Sequence, residues 1–231
     1  MHSQKSSELE NNLGYSFMNG DLLAEALTHR SYFHENPGKA DNYNERLEFL
    51  GDSVLGFVIV EHLFLSDNRL TEAVMAKTKS YLVKEAVLSE IAGAISLGKF
   101  LRLGKGEEAT GGRAKRSLLA DAFEALLGAV YLDGGYEKAR DIILGLFTEK
   151  INAIMNSGQF HDFKTELQER TQQLFSIIPE YRIIKQEGAE HKKIFTVEVY
   201  ISGEKYGEGA GKSKKEAETI AAKEALSRLR Q

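Results

Sequence analysis

The stretch NERLEFLGDS, residues 44–53, places acidic side chains at helical spacing among apolar ones. Glu45, Glu48 and Asp52 stand at i, i+3 and i+7, and at about 100° per residue they share one narrow face of a helix. Glu48 and Asp52 form a like-charge pair four residues apart, which disfavours an isolated helix. The face is either an ordinary solvated surface or one side of a site that requires negative charge.

A second acidic pair lies in SLLADAFEALLGAVYL, residues 117–132, which is apolar almost all round and predicts a buried helix. Asp121 and Glu124 share a face of this helix without a cationic partner on it. Buried carboxylates need a hydrogen-bond partner, a proton or a metal, so a hydrogen-bonded pair of acids is the alternative. Two helices that each carry an unpaired acidic face predict one shared site, and hard oxygen ligands favour Mg²⁺ or Mn²⁺.

The other residues up to 155 also predict mainly helices. Apolar spacing indicates helices over 21–30, 46–65 and 136–155, and two more within 71–97. The glycine-rich and charged segment 97–117 predicts a loop, either mobile or able to bind a phosphate backbone. Asp133-Gly134-Gly135 is expected to end the buried helix. His29, near the end of its predicted helix, is expected to cap or pack and not to catalyse.

The pattern changes after residue 155. Residues 156–160 are the best linker candidate, so we expect one domain at 1–155 and a second at 161–231. In the second, residues 162–175 read as a helix, three segments alternate with period two, and residues 213–229 form an alanine-rich helix. This order predicts a small α+β domain, α-β-β-β-α, with a three-stranded antiparallel sheet and two helices on one face.

Lysines crowd the start of the last predicted helix. Ser213 is a natural N-cap, and Lys212, Lys214 and Lys215 surround it, where positive charge opposes the helix dipole. The cluster is either a tolerated run of surface charge or a receptor for phosphate. A P-loop is excluded, because Tyr206 occupies the position of its first glycine. We therefore expect no nucleoside triphosphate site.

The composition excludes further classes. The 231 residues include no Cys, which rules out disulfides, thiolate metal sites and a cysteine nucleophile. No run of about 18 apolar residues is present, and the N-terminus lacks the apolar core of a signal peptide. We therefore expect no membrane partner and a cytoplasmic location. The net charge of −4 does not indicate nucleic-acid binding, so any such function must come from the placement of charges.

Together, these segments resemble a known family. NERLEFLGDS resembles the signature stretch of ribonuclease III, the bacterial double-stranded-RNA endonuclease, and LLAEALTHRSY, LRLGKGE and SLLADAFEALLGAVYLDGG resemble its flanks. PEY, HKKIFTVEVYI and GKSKKEAE resemble a double-stranded-RNA-binding domain. The resemblance covers nearly the whole chain and implies a mostly helical endonuclease domain followed by that smaller domain.

The resemblance also implies roles for individual acidic residues. Glu48, Asp52, Asp121 and Glu124 match the catalytic carboxylates, of which Glu48, Asp121 and Glu124 would hold Mg²⁺, with Mn²⁺ as a substitute. Glu45 and Glu72 match secondary acidic positions. Phe49 matches a residue that packs across a homodimer interface. The implied reaction cuts both strands of double-stranded RNA, such as ribosomal and other structured precursors, and leaves 5′-phosphate and 3′-hydroxyl ends.

In the second domain the resemblance implies contacts to RNA from three regions: Lys164, Thr165 and Gln168 on the first helix, His191 between strands, and Lys212, Lys214 and Lys215 at the last helix. Such domains recognise A-form shape and 2′-hydroxyl groups more than sequence. The alternative function is that of a non-catalytic regulator that binds double-stranded RNA without cutting it.

Overall fold

The computed structural model describes residues 2–67, 70–157, 160, 162–188 and 193–229, which form two compact units, Met1–Phe160 and His161–Gln231. The first unit is helical. Its helices are α1 (His2–Leu13), α2 (Gly20–Ala26), α3 (Arg30–Glu35), α4 (Glu45–Ser66), α5 (Glu72–Leu82), α6 (Glu85–Ala94), α7 (Lys105–Ala109) and α8 (Arg116–Ser157). Short 3-10 turns at Leu97–Phe100 and Gly112–Ala114 flank α7.

Helices α4 and α8 form the centre of this unit, and two glycines set their separation. A Cβ added at Gly51 would lie 1.8 Å from the carbonyl oxygen of Glu124, and one added at Gly128 would lie 2.3 Å from that of Leu47. The two backbones therefore meet with no side chain between them at these positions. This close approach brings the acidic faces of both helices to the same place.

By length and composition alone, α4 is long and apolar enough to cross a membrane. Its side chains Leu55, Val58, Ile59 and Leu63 are completely buried in the main hydrophobic cluster of the first unit. The same helix carries Glu45, Glu48 and Asp52 at its start. These properties are those of the core helix of a folded domain.

The structure corrects the helix predicted over 21–30. This segment is split, because α2 ends at Ala26 and α3 begins at Arg30. Between them the backbone pairs with a distant segment: the His29 amide donates to the Arg102 carbonyl (3.1 Å), and the Arg102 amide donates to that of Leu27 (2.8 Å). His29 therefore lies at the start of a helix and not at the end of one, and its side chain caps α3 by accepting from the amide of Ser31.

The segment 97–117 also differs from a simple loop. It contains α7 and two 3-10 turns, and Arg113 holds it together by donating to the Glu108 carboxylate and to the carbonyls of Gly98, Lys99 and Leu101. Arg113 is thus occupied within its own segment. Because its partners lie 5 to 15 residues from Arg113, this guanidinium network leaves no periodic signal in the sequence.

The expected stop at residues 133–135 is confirmed within α8. Gly135 has the non-helical angles φ +79° and ψ −177°, so a kink there separates one helical segment from a second that ends at Ser157. Asp133 accepts hydrogen bonds from the Tyr15 hydroxyl and from the amides of Met18 and Asn19, which fixes the segment before α2 against the break. Positions 156 and 157 of the expected linker are helical, and positions 158 and 159 lie outside the described residues.

The second unit confirms the predicted α-β-β-β-α order. It consists of α9 (Phe163–Phe175), β1 (Glu180–Glu187), β2 (Ile194–Ile201), β3 (Glu204–Gly211) and α10 (Lys214–Arg228), and the antiparallel sheet has the order β1-β2-β3. Helix α10 lies directly on β3, because a Cβ at Gly207 or Gly209 would meet the carbonyl oxygen of Ala221 or Ala217. Glycine on the strand and alanine on the helix therefore permit the close packing.

We predict that Gly51→Ala destabilises the protein by about 1–3 kcal/mol, because the new methyl group must push α4 away from the backbone of α8. Gly145→Ala is the matched control, since Gly145 also lies in a helix but a Cβ there meets nothing within 4 Å. The control should be as stable as the wild type or slightly more stable. Urea unfolding measures both, and equal stability of the two variants would contradict the proposed role of Gly51.

Candidate active site

Three carboxylates from α4 and α8 meet at the crossing of the two helices. Glu48, Asp121 and Glu124 each offer an oxygen atom, and the three atoms lie within 4.8 Å of one another. All three side chains are half-buried. The sequence predicted that the two acidic faces share one site, and the structure brings these three residues together.

The electrostatics of this cluster oppose full ionisation. Burial, followed by the charges of Asp52, Glu48 and Asp121, raises the pKa of Glu124 to about 8. Burial and neighbouring carboxylates also raise the pKa of Glu48 and that of Asp121. Among the described residues, no Lys or Arg forms an ion pair with any of the three. A cluster in this state gains stability from a cation or from protons.

The other predicted acidic residues lie in different surroundings. Asp52 is exposed, one turn along α4 from Glu48, and its charge is close enough to raise the pKa of Glu124. Glu45 forms an ion pair with Arg30, with 3.5 Å between Oε1 and Nη1. Glu72 lies exposed in the first turn of α5 and is not part of the three-carboxylate cluster.

A cavity of about 620 Å³ opens beside the cluster, and Glu45, Glu48 and Asp121 are among the residues that line it. Its volume is within the range of ordinary ligand sites, about 300–1,000 Å³. The lining also includes residues whose presence here the sequence did not predict: His29, Ser31, Asn44, Glu107, Lys115 and Ser117. These residues come from separate segments, so their proximity has no signature in sequence spacing.

The lysine cluster of the second unit is exposed around the start of α10. Ser213 caps the helix by accepting from the Glu216 amide (3.1 Å), as predicted, and the Glu216 carboxylate accepts from the Lys212 amide (2.7 Å). Within the described part of the chain, no ion pair engages the ammonium groups of Lys212, Lys214 or Lys215. Their positive charge is therefore available at the surface.

The residues of α9 that were predicted to contact RNA differ in exposure: two are exposed, and one is half-buried in an ion pair. Thr165 and Gln168 are exposed and stand three residues apart on α9. Lys164 is half-buried, with its ammonium nitrogen 2.6 Å from Glu218 Oε2 and 4.8 Å from the centre of the Tyr181 ring. This lysine joins α9 to α10 and to β1. The predicted contact at His191 lies outside the described residues.

An apolar stripe is exposed along α4. Phe49 is 80% exposed, and Phe57, Val60 and Phe64 follow it at spacings of eight, three and four residues. At helical periodicity these four side chains lie on one side of the helix. A stripe of large apolar side chains on a core helix is typical of a surface that associates with another protein.

Two family models match the chain. Residues 19–151 match the model described as ribonuclease-III-like, and residues 163–229 match the double-stranded RNA binding motif. These ranges correspond to most of the first unit and nearly all of the second.

Curated relatives extend the similarity over almost the whole chain. Ribonuclease 3 of Borreliella burgdorferi is 47% identical over 97% of this chain and 91% of its own length. Ribonuclease 3 of Geobacter metallireducens is 46% identical over 98% of this chain and 92% of its own. Among solved structures, the nuclease domain of ribonuclease III from Campylobacter jejuni is 41% identical with a TM-score of 0.57, over 62% of this chain and 95% of that one.

The carboxylate cluster lies within the range that matches the nuclease model, and the exposed lysines lie within the range that matches the RNA-binding motif. The chain therefore belongs to the ribonuclease III family and consists of an endoribonuclease domain followed by a double-stranded-RNA-binding domain.

Proposed function

We propose that this protein is a Mg²⁺-dependent endoribonuclease that cuts both strands of double-stranded RNA and leaves 5′-phosphate and 3′-hydroxyl ends. The observation that supports this most is the three-carboxylate cluster in a chain that also carries an RNA-binding domain. Ribosomal and other structured RNA precursors in the cytoplasm are the substrates we propose, because they contain long A-form helices.

The donor set fits a hard divalent cation. Glu48, Asp121 and Glu124 supply only oxygen ligands, which Mg²⁺ and Mn²⁺ prefer to nitrogen or sulfur. Burial and neighbouring carboxylates raise the pKa of all three acids, and none of them has an ion-pair partner among the described residues. A bound Mg²⁺ would neutralise the charge that develops on the phosphate and lower the pKa of water.

The protein's own residues would then divide the work. Glu48, Asp121 and Glu124 would hold the cation, while Asp52 is an exposed carboxylate outside the cluster. We propose that Asp52 orients the attacking water by accepting a hydrogen bond from it. Glu45, paired with Arg30 at 3.5 Å, would help to fix the wall of the cavity next to the cluster. Glu72, which is not one of the three clustered carboxylates, would contribute to the site without holding the cation.

Cutting both strands of a duplex close together needs two such clusters, since one cluster cuts one strand at a time. We propose that a homodimer supplies them through a two-fold axis at the exposed stripe of α4, with Phe49 packing on the partner copy. Burying this 80%-exposed ring and its apolar neighbours would provide much of the association energy. The related Campylobacter jejuni structure is described as having a region involved in dimer formation of its nuclease domain.

The alternative is a regulator that binds duplex RNA and does not cut it. The assembled carboxylate cluster argues against this function, because binding alone has no use for three acids that repel phosphate. The two functions are separated by a cleavage assay on a long random-sequence RNA duplex.

We predict that Mg²⁺, but not chelator, converts this duplex to short duplexes with 5′-phosphates and short 3′ overhangs. Glu124→Gln should lower the cleavage rate by at least about 100-fold because the cation loses a ligand, while duplex binding stays nearly unchanged. Glu149→Gln, an exposed change on the same helix, is the control and should cleave normally. Tight binding without cleavage in both Mg²⁺ and Mn²⁺ would favour the regulator instead.

The raised pKa of Glu124 predicts a pH-dependent stability. The folded protein without metal keeps this proton up to a pKa of about 8, whereas the ordinary glutamate value is 4.5, so stability should fall as the pH rises between these values. Glu124→Gln removes this dependence. In EDTA, the Tm of the variant minus the Tm of the wild type should therefore be larger at about pH 8 than at about pH 5.

Mg²⁺ added at about pH 8 should raise the Tm of the wild type more than that of the variant, because a ligand that binds only the folded state stabilises it. A Tm difference that is the same at both pH values would show that the titration of Glu124 is not linked to folding.

We also predict that Lys214→Ala combined with Lys215→Ala weakens duplex binding. The plot of the logarithm of the association constant against the logarithm of the salt concentration should become less steep by about 1.5, since each phosphate contact releases counterions. The control is Lys185→Ala with Lys205→Ala, which removes the same charge from lysines already paired with Glu187, Glu198 and Glu208. The control should change the slope little. An unchanged slope in the first variant would exclude Lys214 and Lys215 from the phosphate contacts.

A further inference from the structure

His29 has its two ring nitrogens in different surroundings. Its Nδ1 accepts from the backbone amide of Ser31 (3.3 Å) and lies 2.8 Å from the Ser31 hydroxyl, which itself accepts from the Gly104 amide (2.9 Å). A backbone N–H can only donate, so Nδ1 is the unprotonated nitrogen and the neutral ring carries its hydrogen on Nε2. The hydrogen bonds of Ser31 thus select one tautomer.

The other ring nitrogen, Nε2, belongs to a side chain that lines the nuclease cavity. His29 lines the same cavity as Glu48 and Asp121, and its Nδ1 edge is turned to Ser31. In the described part of the chain, no group accepts a hydrogen bond from Nε2. A cavity lined by Glu48 and Asp121 is therefore also lined by a histidine whose Nε2–H has no acceptor among the described residues.

The charged donors nearby are already occupied. Arg30 is paired with Glu45, and Lys115 with Glu107 at 3.2 Å. Burial lowers the pKa of His29, which favours the neutral ring. The donor is therefore uncharged and does not need an acid of the protein as its partner, in contrast to these two cations.

We propose that His29 is a substrate-binding residue of the nuclease site, whose Nε2–H donates to a nonbridging oxygen of an RNA backbone phosphate next to the one that is cut. This inference rests on the proposed function of the cavity. A phosphate oxygen is the acceptor we infer, because it is present at every nucleotide, and recognition that tolerates sequence depends on backbone contacts. The Ser31 hydroxyl and the Gly104 amide act as positioning groups, since they fix the ring that makes the contact.

Two substitutions of His29 test the roles of Nδ1 and Nε2 separately. His29→Asn keeps an acceptor near Nδ1 and a favourable N-cap for α3, but it has no donor at the Nε2 position. His29→Gln extends an amide N–H toward the Nε2 position. Single-turnover cleavage of a short RNA duplex in Mg²⁺ should be about 10- to 100-fold slower for the Asn variant, the range for a hydrogen bond to a charged group, and partly restored for Gln.

The proposed contact can also be tested by changing the phosphates of the RNA substrate. A single uncharged methylphosphonate, placed in turn at each backbone position around the cleavage site, removes one phosphate oxygen at a time. At one position it should slow the wild type but slow His29→Asn no further, because the contact is already lost. Thermal unfolding checks that both variants remain folded.

Equal effects of every methylphosphonate on the wild type and on His29→Asn would overturn the assignment. Cleavage of the unmodified duplex by His29→Asn at the wild-type rate would overturn it as well. Failure of the wild type to cut the unmodified duplex would instead refute the nuclease function, and the inference with it. Cleavage of the unmodified duplex by the wild type therefore distinguishes the two failures.

Discussion

The site depends on the contact between the backbones of α4 and α8. At Gly51 and Gly128 each helix presents bare backbone to the other, and any larger residue would separate them. Glu48 lies one turn before Gly51, and Glu124 lies one turn before Gly128, so the contact that makes the core also sets the distance between these carboxylates. Packing and chemistry are therefore specified by the same four positions.

This arrangement has an electrostatic cost, because like charges are brought together in partly buried surroundings. The cations nearest to the cavity do not offset it, since Arg30 and Lys115 are engaged by Glu45 and Glu107. The protein thus satisfies its peripheral acids internally and leaves the central cluster for a ligand from outside. Such a division indicates a functional site, because the same helices could be joined more stably by apolar residues.

Much of this could be predicted from the sequence, since the informative patterns are local. Carboxylate spacing on each helix indicates a shared acidic site, and period-two segments followed by an alanine-rich helix indicate the second domain. The contribution of His29 to the lining of the cavity could not be predicted, because it depends on pairing between residues near 28 and 102. His29 illustrates the difference: the apolar periodicity of 21–30 continues to it, but the long-range bridge ends α2 at Ala26 and makes His29 a cap of the next helix. Lys164 was predicted to contact RNA by resemblance, and only the structure shows its ion pair with Glu218.

The two units face opposite electrostatic demands from one substrate. The second unit needs positive charge to bind a polyanion, and Lys212, Lys214 and Lys215 offer exposed ammonium groups that no ion pair among the described residues engages. In the function proposed above, the first unit would need negative charge to hold a cation at the phosphate to be cut, and without a cation its three carboxylates would repel RNA. Binding strength can therefore reside in the second unit, and the first can dedicate its charge to chemistry. On this view, neutral donors such as the Nε2–H of His29 suit the nuclease cavity well. They can position a phosphate without competing with the cation for the carboxylates.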